Sequence, residues 1–461
     1  QTDFSPHQYK PLLTLLDSPV NGLLIADEVG LGKTIEAGLI WTELRARYDL
    51  RRLLVVCPAM LREKWRTELV NRFGVDAHVV DVATLLREIE TPDHRERAWI
   101  VSYQGIRTPS HWNTDKVGAP GSAVRSQLAD LLRHHADENP LFDLVIFDEA
   151  HYMRNEETGA WRTGSLLRDV STYQVMLSAT PINLKSEDLF NLLRLLDPDH
   201  FEYREHFQYL VQANYPVIAA SNVVRDLSNN GDRIREAIRG IAGRRWFGDS
   251  SRADWLIEEV EAIQEWTHEK RVDIAAKLER LNLLAHIVTR TRKREVPGER
   301  PVRDPTVFEA DMTLMERALY QAITEGTREY AQINDIKHGF LLSMPQRMVA
   351  SSPAALLRTW RDDWVDTDAL ATTMDETDED EARLDAASSS LKHWLASQVL
   401  REFDLDELVR QDSKFAQFSQ ALRRLLAEDG AAKALVFTTF RGTARYLVER
   451  LSGENVQAGL L

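Results

Sequence analysis

Residues 23–38 read LLIADEVGLGKTIEAG, an apolar run, then a glycine turn closing on Lys-Thr, then a helix start. The run Leu23–Ala26 predicts a short buried strand. Gly30 and Gly32 let the backbone bend so that its N–H groups face inward, at a helix N-terminus whose dipole favours an anion. Lys33 can reach the outer phosphates of a nucleotide, and Thr34 can offer its hydroxyl to Mg²⁺. Leu31 completes the turn. Asp27 stands where the strict GxxxxGK[ST] pattern has its first glycine, so the alternative is a glycine-rich turn with a surface lysine. The stretch predicts a site for ATP.

Residues 144–151, LVIFDEAH, supply the other half of that site. A neighbouring apolar strand ending in two acids would deliver Asp148 to the metal and Glu149 to the attacking water. Further strand-like runs occur at 23–27, 53–58, 99–103 and 175–180, each followed by a polar or helical segment. Such alternation predicts an α/β fold with a parallel sheet covered on both faces. Ligands of such sheets sit at the carboxyl ends of the strands, where all these motifs fall.

At 461 residues the chain is too long for one ordinary core, and two or three domains are expected. No run of 18 or more apolar residues is present to span a bilayer, so no membrane partner is expected. Cys57 is the single cysteine, which excludes an internal disulfide and fits the cytoplasm. With 57 basic and 72 acidic residues the net charge is -15, so any polyanion must bind a local patch rather than a basic surface.

After Pro181 the texture becomes helical. Leu256, Val260, Ile263 and Trp266 recur three or four residues apart, and residues 201–300 read as a helical insertion. Residues 305–312 read as one more strand, and Thr313 with Glu316 has capping-box spacing for the helix that follows. Six acids stand among residues 375–381, which reads as a solvated or disordered loop. KALVFTTF (433–440) then reads as a strand between two helices. These shifts divide the chain at 1–200, 201–300, 301–345, 346–412 and 413–461.

Taken in order, ADEVGLGKTIEAG, DEAH and LSATPIN with LLRLLDPD after it resemble the Swi/Snf-type superfamily-two helicase-like ATPases, in their bacterial RapA/HepA-like branch. The resemblance implies a RecA-like ATP-binding lobe with large helical insertions and the start of a second RecA-like lobe. SPHQYK is similar to the family's adenine-reading segment, which implies that Gln8 meets the base. VVCPAMLREKW resembles motif Ia and VSYQ motif Ib, implying a nucleic-acid path along Pro58, Ser102, Tyr103 and Gln104. LSATP implies coupling of nucleotide state to nucleic-acid contact through Ser178 and Thr180, with His151 at the same junction. TRTRKRE (289–295) resembles the basic block after the first protrusion; Arg290 and Arg292, with Lys293 and Arg294, could neutralise phosphates or clamp helices together. KALVFTTF resembles motif IV, with Thr438 and Phe440 near the nucleic-acid path.

Motifs V and VI are not found after it. Motif VI brings an arginine to the γ phosphate, worth on the order of 10³ to 10⁵ in rate, so this chain is expected to bind Mg-ATP, to hydrolyse it poorly and to be part of a longer protein. The resemblance implies a cytoplasmic, nucleoid-associated translocase on double-stranded DNA. Its cargo would be RNA polymerase or a defence complex. A strand-separating DNA or RNA helicase and an ATP-gated scaffold are the alternatives.

Overall fold

The computed structural model describes residues 5–89, 96–109, 112, 122–136, 140–178, 186–226, 228–242, 251–293, 296, 305–334, 338–361, 390–428 and 433–460. Thr180, Arg294 and the acidic run lie outside them. Two compact units divide the chain, residues 1–299 and 300–461.

The first unit is built on a seven-stranded sheet of β1 (Gly22–Ile25), β2 (Arg52–Cys57), β3 (Ala77–Val79), β4 (Arg97–Ser102), β5 (Phe142–Asp148), β6 (Ser171–Leu177) and β7 (Val288–Thr289). The spatial order is β3-β4-β2-β5-β6-β1-β7, and every described pair is parallel. Side chains alternate between two cores with period two: Leu23, Ile25, Val55 and Ile146 face one, Leu24, Val56, Val145 and Phe147 the other. Both faces are therefore buried, as the continuous apolar runs require. The α/β expectation, a parallel sheet covered on both faces, holds for the first unit.

Helices Lys10–Asp17 (α1), Lys33–Tyr48 (α2) and Arg62–Phe73 (α3) flank the core that holds Leu23 and Ile25. The insertion comprises helices Arg204–Arg225, Gly231–Ala242, Ser251–Ala262 and His268–Leu281 around a core of its own. Leu256, Val260 and Ile263 are buried in that core and Trp266 packs against it, although the last two lie past the end of their helix. Glu279 anchors the insertion to α1 through Lys10 at 2.7 Å and also pairs with Arg225. Burial alone would raise the Glu279 carboxyl, but these two cations hold it below the usual range.

The second unit is helical over its described residues, with Leu319, Ile323, Leu357 and Leu395 in its core. The predicted capping box is present: Glu316 N–H donates to Thr313 Oγ1 at 3.3 Å and Thr313 N–H to Glu316 Oε2 at 2.7 Å.

Three expectations change. Residues 305–312 have no regular secondary structure and join no ladder, and the last strand of the first unit's sheet is instead Val288–Thr289, against β1. KALVFTTF is likewise not a strand: among the described residues nothing pairs with it, and Leu435, Val436 and Phe437 are exposed. β5 is not beside β1, because β6 lies between them.

Candidate nucleotide-binding site

β1 ends in Ile25, and the chain turns through Asp27–Gly32 into α2. Gly30 and Gly32 have φ of 89° and 96°, in the left-handed region where a Cβ is strained. A Cβ on Gly32 would also come within 2.5 Å of Gln8 Nε2. The glycines therefore have a steric reason, and the turn opens directly on the N-terminus of α2. Lys33 Nζ donates to Asp27 O at 2.9 Å, folding its side chain back across the turn.

Gln8 is buried beneath this loop. Its Nε2 donates to Leu31 O at 3.1 Å and its Oε1 accepts from Ser5 N at 3.0 Å, which leaves one donor and one lone pair of the amide. His7 Nε2 lies 3.2 Å from the same Leu31 oxygen. The Gln8 segment is thus part of the loop's support.

Two carboxyl groups lie behind the loop, and neither has an exposed surface. Asp27 Oδ1 accepts the Thr291 N–H at 2.8 Å. Asp27 Oδ2 and both oxygens of Glu36 have no protein donor. Burial, then the Asp27 charge and a hydrogen bond to Asp27, push the Glu36 carboxyl up to about 9. A proton kept on Glu36 can be donated to Asp27 Oδ2, which pairs two of these three oxygens.

β5 brings Asp148 and Glu149 to the same carboxyl edge. Asp148 Oδ2 accepts from the buried indole of Trp65 on α3 at 2.8 Å, and Oδ1 accepts Glu149 N–H at 2.9 Å. Burial raises the Asp148 carboxyl; the Trp65 bond and the Lys33 charge act in the opposite direction. Lys33 and Asp148 therefore sense each other's charge across β6. Glu149 itself is left-handed, φ 53°, a conformation uncommon for a residue with a side chain and frequent at functional turns. Its Oε2 lies 3.2 Å from His151 Nδ1, out of line for a hydrogen bond.

The donor set fits the expected ligands. A glycine cradle with a lysine suits phosphates, and a carboxylate and a hydroxyl at the same sheet edge, Asp148 and Thr34, suit a hard divalent cation. Among the described residues no three His, Cys, Asp or Glu are grouped to hold a metal unaided. Mg²⁺ needs no such cage, since it keeps several waters and shares substrate phosphates.

Other expected residues fall in mixed positions. Ser178 is fully buried, and its N–H donates to Ile25 O at 2.9 Å, joining β6 to the start of the phosphate turn. Ser102 Oγ accepts Gly105 N–H at 3.1 Å as a helix cap. Tyr103 is buried and stacks on Tyr152, which stacks on His151; burial drives the Tyr103 phenol well above its ordinary range. Gln104 is exposed and Pro58 half-buried, whereas Phe440 is buried at the start of its helix. Arg292 Nη1 donates to Asn222 at 3.3 Å on the insertion. Trp65 and Glu36 were not anticipated. Trp65 stands 83 residues from its partner, and no local pattern marks the contact.

No described helix is long and apolar enough to cross a membrane. Comparison with known proteins places residues 7–364 in the SNF2-related domain. The chain is 30% identical over 224 residues to an uncharacterized ATP-dependent helicase, YqhH, of Bacillus subtilis, a match covering 49% of this chain and 35% of that protein. Against the RNA polymerase-associated protein RapA of Yersinia pestis it is 29% identical over 244 residues, 52% of this chain and 23% of RapA. The matched part is thus well under half the length of either relative. Among solved structures, the Sulfolobus solfataricus SWI2/SNF2 ATPase core in complex with dsDNA matches at 16% identity and a TM-score of 0.37, covering 77% of this chain and 59% of that one. The family model spans the phosphate turn, the Asp148–Glu149 edge and the insertion between them and β7, so the chain belongs to the SNF2-related family of ATPases.

Proposed function

We propose that this chain is the ATP-binding part of a motor that translocates on double-stranded DNA in the cytoplasm, with a protein complex such as RNA polymerase as its cargo. The observation that carries the reading is one sheet edge holding both the glycine turn with Lys33 and the Asp148–Glu149 tip. Membership of the family supports ATP use, and the RapA relatives, named for association with RNA polymerase, support that cargo.

In this reading Lys33 neutralises phosphate charge, while Thr34 and Asp148 hold Mg²⁺, which when bound offsets charge on the phosphates. Glu149 orients the attacking water and accepts its proton. Gln8 braces the loop and meets the base. Ser178, bonded to Ile25, carries a change at the turn into β6.

The test compares ATP binding and turnover of the complete gene product without nucleic acid and with single-stranded DNA, duplex DNA or RNA. Duplex DNA should stimulate most, and Glu149→Gln should bind ATP normally while losing at least a hundredfold in turnover. Unchanged turnover would remove Glu149 from this role. Displacement of a triplex strand without unwinding of a tailed duplex separates a translocase from a helicase.

A further inference from the structure

Residues 289–293 run as a strap along the end of β1 and the start of the phosphate turn. Thr289 O accepts Ala26 N–H at 2.8 Å and Thr291 O accepts Glu28 N–H at 3.1 Å. Thr291 N–H donates to Asp27 Oδ1 at 2.8 Å, and Lys293 N–H to Glu28 Oε2 at 2.9 Å. The parallel pairing of β7 with β1 thus continues beyond the strands, and the backbone at Lys293 is fixed against the turn. All four ties use main-chain groups of the strap, so the Lys293 side chain takes no part in them.

The Lys293 side chain extends over the turn. A Cβ built on Gly30 would lie 3.6 Å from the Lys293 ammonium and 3.7 Å from its Cε, and would meet nothing else within 4 Å. Lys293 is exposed, and among the described residues no carboxylate pairs with its ammonium. Its neighbour Arg292 is directed elsewhere, toward Asn222. One unpaired cation is therefore held across Gly30, the glycine whose bend shapes the cradle.

We propose that Lys293 is a second lysine of the triphosphate site, contacting the phosphates across Gly30 in partnership with Lys33. The proposal rests on the nucleotide reading of the turn. It assigns the basic block at least one role other than nucleic-acid binding. The physical reason is charge: a triphosphate exceeds what a single lysine offsets, and a charge-assisted contact to phosphate is strong where the donor is positioned beforehand. It also makes the insertion, which leads straight into β7, mechanically continuous with a phosphate contact.

Calorimetric titration of the whole chain with Mg-ATP and Mg-ADP tests this. Lys293→Ala should weaken ATP about tenfold and ADP less, Lys293→Arg should recover most of the loss, and Lys277→Ala, which removes a lysine paired within the insertion, should change nothing. The strap's ties to the turn use backbone atoms, so these variants keep them; Lys293→Gln provides a second neutral variant should the alanine protein unfold. If Lys33→Ala abolishes binding while Lys293→Ala and Lys293→Gln bind ATP as the wild type does, the proposal fails and the nucleotide reading stands. If the wild type binds no ATP, both fail. Loss of duplex-DNA affinity with unchanged ATP affinity assigns the cation to nucleic acid, and a loss that arginine does not recover assigns it to packing; either result overturns the proposal.

Discussion

Glu36 occupies the first turn of α2, where a helix dipole favours a negative charge, yet burial dominates and keeps its proton on at neutral pH. The sign of the consequence is fixed. Its folded pKa, about 9, lies above the ordinary 4.5, so its contribution is complete below pH 4.5 and declines as pH rises toward 9. Glu36→Gln keeps the shape and a donor toward Asp27 without the titration. Urea unfolding at pH 5, 7 and 8 should show the variant gaining on the wild type by up to ~1.4 kcal/mol per pH unit. Parallel profiles would mean that Glu36 is ionised in the fold. At this scale the glycines, Lys33, Thr34, Asp148 and Glu149 were legible, because the turn and strand end impose a local pattern. The Asp27–Glu36 pair and the Trp65 brace were not, because side chains from separate turns or strands meet only after the sheet assembles.

Among the elements, Arg271 shows how the insertion holds its shape. Its buried guanidinium donates to Val224 O, Asp226 O and Asn229 O at 3.0, 3.1 and 2.7 Å, where the helix Arg204–Arg225 ends, and its charge lies 5.9 Å from the Trp266 ring centre. A cation at a helix C-terminus complements the dipole and satisfies carbonyls that the helix leaves open. Arg271→Ala should destabilise the insertion by about 3 kcal/mol, and lysine, a single point donor, should not substitute. Hydrogen exchange over residues 204–281 reads the effect; unchanged protection there would show the fork to be dispensable. Long apolar runs announced β1, β2, β4, β5 and β6. β3 and β7, three and two residues long, gave no such signal, since short edge strands are defined by the neighbour they pair with. The reverse error arose at 433–440, where strand-like residues have no described partner.

On the scale of the molecule, two units with separate cores predict two calorimetric transitions. A nucleotide bound at the β1 turn stabilises only the unit that holds it, by about 2.7 kcal/mol at a hundredfold excess over Kd. Mg-ATP should therefore raise one transition, and Lys33→Ala should remove that rise. Joint movement of both transitions would indicate a single cooperative body.

The exposed run Leu435–Phe437 has a further consequence. Phe437 is 85% exposed, and the adjoining backbone pairs with no strand among the described residues, so the segment is adhesive toward any free β-edge. Concentrated solutions would clump through it. A lysine at Val436 would act as a gatekeeper against that clumping.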